Sequence, residues 1–94
     1  MFIVSLHYIK PLEQIELHLE AHKQFLKAHY AKGDFIMSGA KIPRTGGIIL
    51  INTMNRETLY ALLSKDPFQQ HNIAEYEIIE FTPSLHELSN FVAC

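Results

Sequence analysis

The sequence predicts a small α+β domain, and three observations carry that prediction. The chain has 94 residues, 48% of them apolar and 19% charged, which fits one domain and no more. Four short segments alternate or run apolar in the manner of strands, and two others repeat with helical period. Their order along the chain is strand, helix, strand, strand, helix, strand.

Phe2 to Tyr8 is rich in β-branched and aromatic residues, with Phe2, Val4, Leu6 and Tyr8 on one face and Ile3, Ser5 and His7 on the other. Lys10-Pro11 breaks this strand. From Glu13 to about Lys32 the period becomes helical, and Ile15, Leu19, His22, Leu26 and His29 form one stripe. Gly33 stands where a helix C-terminus turns left-handed. Phe35 to Ile42 and Gly47 to Thr53 read as strands joined by Pro43-Arg44-Thr45-Gly46, a link short enough only for an antiparallel hairpin. Asn55 caps a second helix, Arg56 to Ser64, which Lys65-Asp66-Pro67-Phe68 stops. Glu75 to Phe81 is the fourth strand, and Ser84 to Val92 has the composition of a last short helix. The order is the split βαβ arrangement, a ferredoxin-like βαββαβ unit with a four-stranded antiparallel sheet. No linker divides the chain, so residues 1–94 read as a single domain with a core over 1–82 and a tail over 83–94.

Two helices cover only one face of such a sheet, yet Ile48 to Ile51 is unbroken apolar. The second face needs cover, and a second copy of the same sheet is the simplest source, so a homodimer is expected. A domain of this size buries only about 60–65% of its unfolded surface, and a partner subunit adds to a thin core.

Other function classes find no support. A formal charge of −2 without a Lys/Arg cluster argues against nucleic acid. No apolar run approaches the roughly 20 residues of a membrane span, and the segment from Met1 to Tyr8 has no basic leader and reads as a strand. The lone Cys94 excludes a disulfide framework within the chain and fits a reducing compartment, so a cytoplasmic protein is expected. GxGxxG, P-loop and GxSxG templates are all missing, and no cofactor is expected. His18 and His22 stand at i and i+4, suitable for one zinc, but no third ligand accompanies them, and His29 lies about 10 Å further along the axis. No metal site is expected.

The chemistry that remains rests on few residues. His22 sits in the apolar stripe where Leu or Ile packs better, as a core histidine bonded to a carbonyl or as a working imidazole. Asp66, before Pro67, suits an N-cap or turn. At the exit of the second helix it is also placed to meet a side chain of the first. A carboxylate that accepts from one imidazole nitrogen fixes the tautomer and makes the other a better base, an acid–base unit. Ser38 lies mid-strand beside Gly39, which marks either a bulge or tight contact, or open space for a hydroxyl that positions a substrate. Arg44 in the hairpin is a solvated charge or a binder of anions.

Taken in order, Leu19-Glu20-Ala21-His22-Lys23-Gln24-Phe25-Leu26, Met37-Ser38-Gly39-Ala40, Pro43-Arg44-Thr45-Gly46-Gly47 and Asp66-Pro67-Phe68 resemble the marks of the YciI-like (YCII-related) proteins. The resemblance runs from Met1 to about Phe81. It implies a dimeric α/β-barrel fold, two ferredoxin-like units packed sheet to sheet. It also implies a cleft with a proposed acid–base dyad, His22 and Asp66 here, and a Ser/Gly pair on the second strand, Ser38 and Gly39. Relatives on that fold include lactone isomerases and cofactor-independent oxygenases. The expectation is an acid–base enzyme of lyase or isomerase type acting on a small, anionic, cyclic or aromatic substrate, with Ser38, Gly39 and Arg44 binding it. The alternative is a non-catalytic dimeric module that binds a small molecule or serves as an accessory subunit. Haem or metal held by the first helix is a third reading.

Overall fold

The computed structural model describes residues 1–92, so Cys94 lies outside the described residues. Strand β1 spans Phe2–Tyr8, helix α1 Leu12–Ala31, β2 Phe35–Ala40, β3 Gly46–Ile51, helix α2 Arg56–Leu63, a short helix α3 Pro67–Gln70, and β4 Ala74–Glu80. The sheet has four strands in the order β2-β3-β1-β4, every pair antiparallel. This is the ferredoxin-like arrangement that the order of elements predicts.

Helix α1 forms where the stripe says it should, burying Ile15, His22, Phe25 and His29. It ends at Gly33, whose φ of +80° only glycine adopts without strain. Asn55 accepts a 2.7 Å hydrogen bond from the Thr58 N–H and starts α2. In the β2–β3 hairpin, Gly46 passes so close to β1 that a Cβ there would stand 1.7 Å from the Leu6 carbonyl oxygen. No other residue fits.

The register separates the faces. Phe2, Val4 and Leu6 align with Ile51, Ile49 and Gly47 of β3 and with Glu80, Ile78 and Tyr76 of β4, facing the helices. Phe2, Val4, Leu6, Ile49 and Ile51 join Ile15, Phe25, Leu59, Leu62, Leu63 and Phe68 in the core. The other face carries Ile3, Met37, Ile48, Leu50 and Ile79 in neighbouring registers. Ile48 and Ile79 are exposed there, so the helices leave this apolar face open.

β3 ends at Ile51 rather than Thr53, and three further differences from the sequence expectation matter more. Strand β2 stops at Ala40 rather than Ile42, because the chain turns through Lys41 to Thr45, with Ile42 fully exposed. Asp66-Pro67 does more than stop α2: Asp66 is the N-cap of α3, with Pro67 at its first turn. Beyond β4, the helix expected over Ser84 to Val92 is reduced to one 3₁₀ turn, Leu88–Asn90. Leu85, Leu88, Phe91 and Val92 are exposed, and nine residues without a packing surface are too few to sustain a helix in water.

Candidate active site

Helix α1 and the α2–β4 connection meet at two side chains 44 residues apart. His22 Nδ1 lies 2.7 Å from Asp66 Oδ1. Asp66 is 0% exposed and His22 8%. The Asp66 carboxylate collects three groups: His22 Nδ1 and the Phe68 N–H (3.0 Å) at Oδ1, and the Tyr76 hydroxyl, which donates to Oδ2. The capping and pairing readings of Asp66, alternatives in the sequence, hold together because one oxygen serves both.

That convergence assigns the protons. The Phe68 N–H can only donate. Burial first, and then the adjacent Asp66 charge, push the Tyr76 phenol well above its ordinary 10.0, so it stays protonated and donates as well. A carboxylate receiving these two donors is an acceptor toward His22, which therefore carries its proton on Nδ1. Nε2 has no protein partner among the described residues, yet no buried side-chain nitrogen or oxygen is left unsatisfied. Nε2 therefore reaches solvent. The Phe68 ring lies flat on the imidazole, centroids 4.0 Å apart and planes within 5°. The segment Asp66-Pro67-Phe68 thus holds His22 by its edge and by its face.

His22 borders a cavity of about 270 Å³ between α1 and the β2–β3 hairpin. Leu6, Leu19, Leu26, Ile49 and Phe68 give it apolar walls, and Tyr8, Lys23, Ser38, Gly39 and Arg44 also line it. Ser38 pairs with Ile49 on the helix side of the sheet. Its Oγ is 2.7 Å from the Tyr30 hydroxyl. Gly39 borders the cavity through its backbone, and a Cβ there would meet nothing within 4 Å. The bulge foreseen as one account of Gly39 lies instead between Phe35 and Met37. Arg44 Nη1 is 3.1 Å from Glu16 Oε1. Glu16, and then the Tyr8 hydroxyl, hold the guanidinium above its usual value. All five residues singled out in the sequence meet here: His22, Ser38, Gly39 and Arg44 line the cavity, and Asp66 stands behind His22.

Tyr76, Tyr30 and Phe68 were not foreseen as part of this cluster. A second histidine–carboxylate contact, His29 Nδ1 to Asp34 Oδ2 at 2.8 Å, was missed too. His29 is packed against Phe25 and Phe35 and does not line the cavity. Of the two zinc candidates, His22 is bound to Asp66, and the His18 ring stacks on His71 at 3.8 Å. Among the described residues no group of three or more His, Cys, Asp or Glu is placed to share a metal ion, and no helix is long and apolar enough to cross a membrane.

Tyr76→Phe tests the proton assignment. The phenol's folded value is raised, so its stabilising contribution is fully present below pH 10.0 and is lost as pH rises beyond it, where the unfolded chain ionises and the native one does not. The variant is expected to be about 1.5–3 kcal/mol less stable than wild type below that pH, with the gap narrowing above it. Urea unfolding across the alkaline range checks this; a gap independent of pH contradicts it.

This element order and sheet define the ferredoxin-like class of small α+β proteins. Within it, this chain belongs to the YCII-related domain family, whose model matches residues 1–82. No curated protein matches the sequence. Among solved structures the chain is similar to the 5-chloro-2-hydroxyhydroquinone dehydrochlorinase (TftG) of Burkholderia phenoliruptrix AC1100, in complex with 2,5-dihydroxybenzoquinone. The TM-score is 0.72 at 14% identity, over 89% of this chain and 96% of that one. At that identity the likeness concerns the fold.

Proposed function

We propose that this chain is a cofactor-independent acid–base enzyme of lyase or isomerase type, acting on a small, anionic cyclic or aromatic substrate. The observation that carries the reading is an imidazole held through Nδ1 by a buried carboxylate, its Nε2 unpartnered beside a cavity. His22 Nε2 takes a proton from an acidic C–H or O–H of the bound ring, and Asp66 stabilises the imidazolium that results. The electron pair released either expels a leaving group or is reprotonated elsewhere on the ring by the same imidazolium. The apolar walls hold the ring, Ser38 and the Gly39 backbone position a polar substituent, and Arg44 binds the negative charge. The structural relative's name and ligand, a chlorinated hydroxyhydroquinone and a dihydroxybenzoquinone, support ring substrates of this size.

The test is solvent exchange. Hydroxylated and chlorinated hydroquinones, including 5-chloro-2-hydroxyhydroquinone, and unsaturated lactones are incubated in D₂O with wild type and His22→Gln. Deuterium incorporation and chloride release are followed by NMR and ion chromatography. Turnover by wild type alone supports the reading; equal rates in both proteins sink it.

The open apolar face supports a homodimer built sheet to sheet, with residues 1–94 of each copy as one domain whose core is 1–82. Ile48→Lys on that face is expected to convert a dimer into a monomer by sedimentation, without unfolding. A wild-type monomer at micromolar concentration contradicts the dimer. The non-catalytic alternative, a binding module in the same cavity, predicts ligand binding without exchange.

A further inference from the structure

The cavity is bordered by an ion pair of which the proposed reaction uses only Arg44 and gives Glu16 no part. Arg44 lines the cavity from the β2–β3 hairpin, but its Nη1 is turned to Glu16 Oε1 at 3.1 Å, and Glu16 is not part of the lining. The contact joins α1 to the hairpin, the two walls of the cleft. The side chains are open to water, 38% exposed for Arg44 and 60% for Glu16. We infer that Glu16 is a displaceable stand-in for the substrate's oxyanion and so determines specificity: it occupies Arg44 in the empty cleft and yields to a carboxylate or phenolate on the entering ring. This rests on the reading of the cavity as a site for anionic rings and adds to it a residue that sets how strongly charge is rewarded.

The chemistry follows from what exchange costs. A neutral ring that breaks the pair leaves two charges to be resolvated and gains nothing in return. An anionic ring replaces one carboxylate with another oxyanion on the same guanidinium, so only the difference between them is lost. An exposed pair is weak enough for the exchange, and its removal changes affinity by about two- to fivefold at most. Tyr8 lines the same cavity as Arg44, so a second polar group remains on the cavity when Glu16 lets go.

The probes are benzoate and its neutral isostere benzamide, titrated by NMR into wild type, Glu16→Gln and Arg44→Met, with unchanged amide spectra verifying the fold. Glu16→Gln is expected to bind benzoate about two- to fivefold more tightly with benzamide unchanged, while Arg44→Met loses the preference for benzoate. If Arg44→Met weakens benzoate but Glu16→Gln leaves it unchanged or weaker, the stand-in role is overturned and the anionic site stands. If benzoate shifts no cavity resonances in any variant, the anionic-substrate reading fails and this inference with it.

Discussion

Asp66→Ala is expected to lower the stability of the fold by about 3–5 kcal/mol, the cost of stripping a buried charged partner from the groups around it. Three donors converge on this carboxylate, from α1, from the start of α3 and from β4. Its removal orphans the His22 Nδ1–H, the Phe68 N–H and the Tyr76 hydroxyl in a place with 0% exposure. For a chain of this length the loss corresponds to roughly 15–30 °C in melting temperature. Asp66→Asn is expected to be much milder. The obligate donor at Phe68 orients the amide with its oxygen in the Oδ1 position, which preserves both the cap and the hydrogen bond from His22. Only the charge is lost, and the Tyr76 bond reverses, the amide Nδ2–H donating to the phenol oxygen. Thermal and urea unfolding should rank wild type above Asn and Asn above Ala. A stable Ala variant would mean that the carboxylate organises nothing.

His22→Gln is expected to reduce proton exchange about 10²–10⁴-fold, the usual contribution of a positioned general base, while the protein stays folded. The Gln amide can still donate toward Asp66 Oδ1, so α1 and α3 remain tied, but an amide does not accept a proton at neutral pH. The loss is expected in kcat more than in KM, since apolar walls, Ser38 and Arg44 remain to bind the ring. This variant also separates the catalytic reading from the structural one, which Asp66 variants cannot do. Asp66 is at once helix cap, tyrosine acceptor and imidazole partner, so any change there alters stability whatever its part in chemistry.

Much of the architecture was legible because it follows from local rules. The alternation of Phe2 to Tyr8, the left-handed Gly33 and the Asn55 cap are each decided by residues within a turn or a strand. His22 was visible as a polar ring in an apolar stripe, and Asp66 as a residue before proline. Their meeting could only be suspected, because it depends on how a helix and a turn 44 residues apart pack on one sheet. Tyr76 was hidden for the same reason: nothing in Glu75 to Phe81 tells which face of β4 the hydroxyl takes or what waits there. The second pair, His29 with Asp34, shows why a histidine near a carboxylate is a weak sign alone. Its ring packs against Phe25 and Phe35 and does not line the cavity beside His22. The tail was misread because helical composition does not suffice without a surface to pack on.

The proposed chemistry turns on one proton, and long-range ¹H–¹⁵N NMR of the His22 ring locates it directly. In the neutral form of the ring the proton is expected on Nδ1 with Nε2 bare, and only the Nε2 signal is expected to shift strongly when an anionic ring fills the cavity. A neutral ring protonated on Nε2, or an Nε2 signal indifferent to such a ligand, would contradict it.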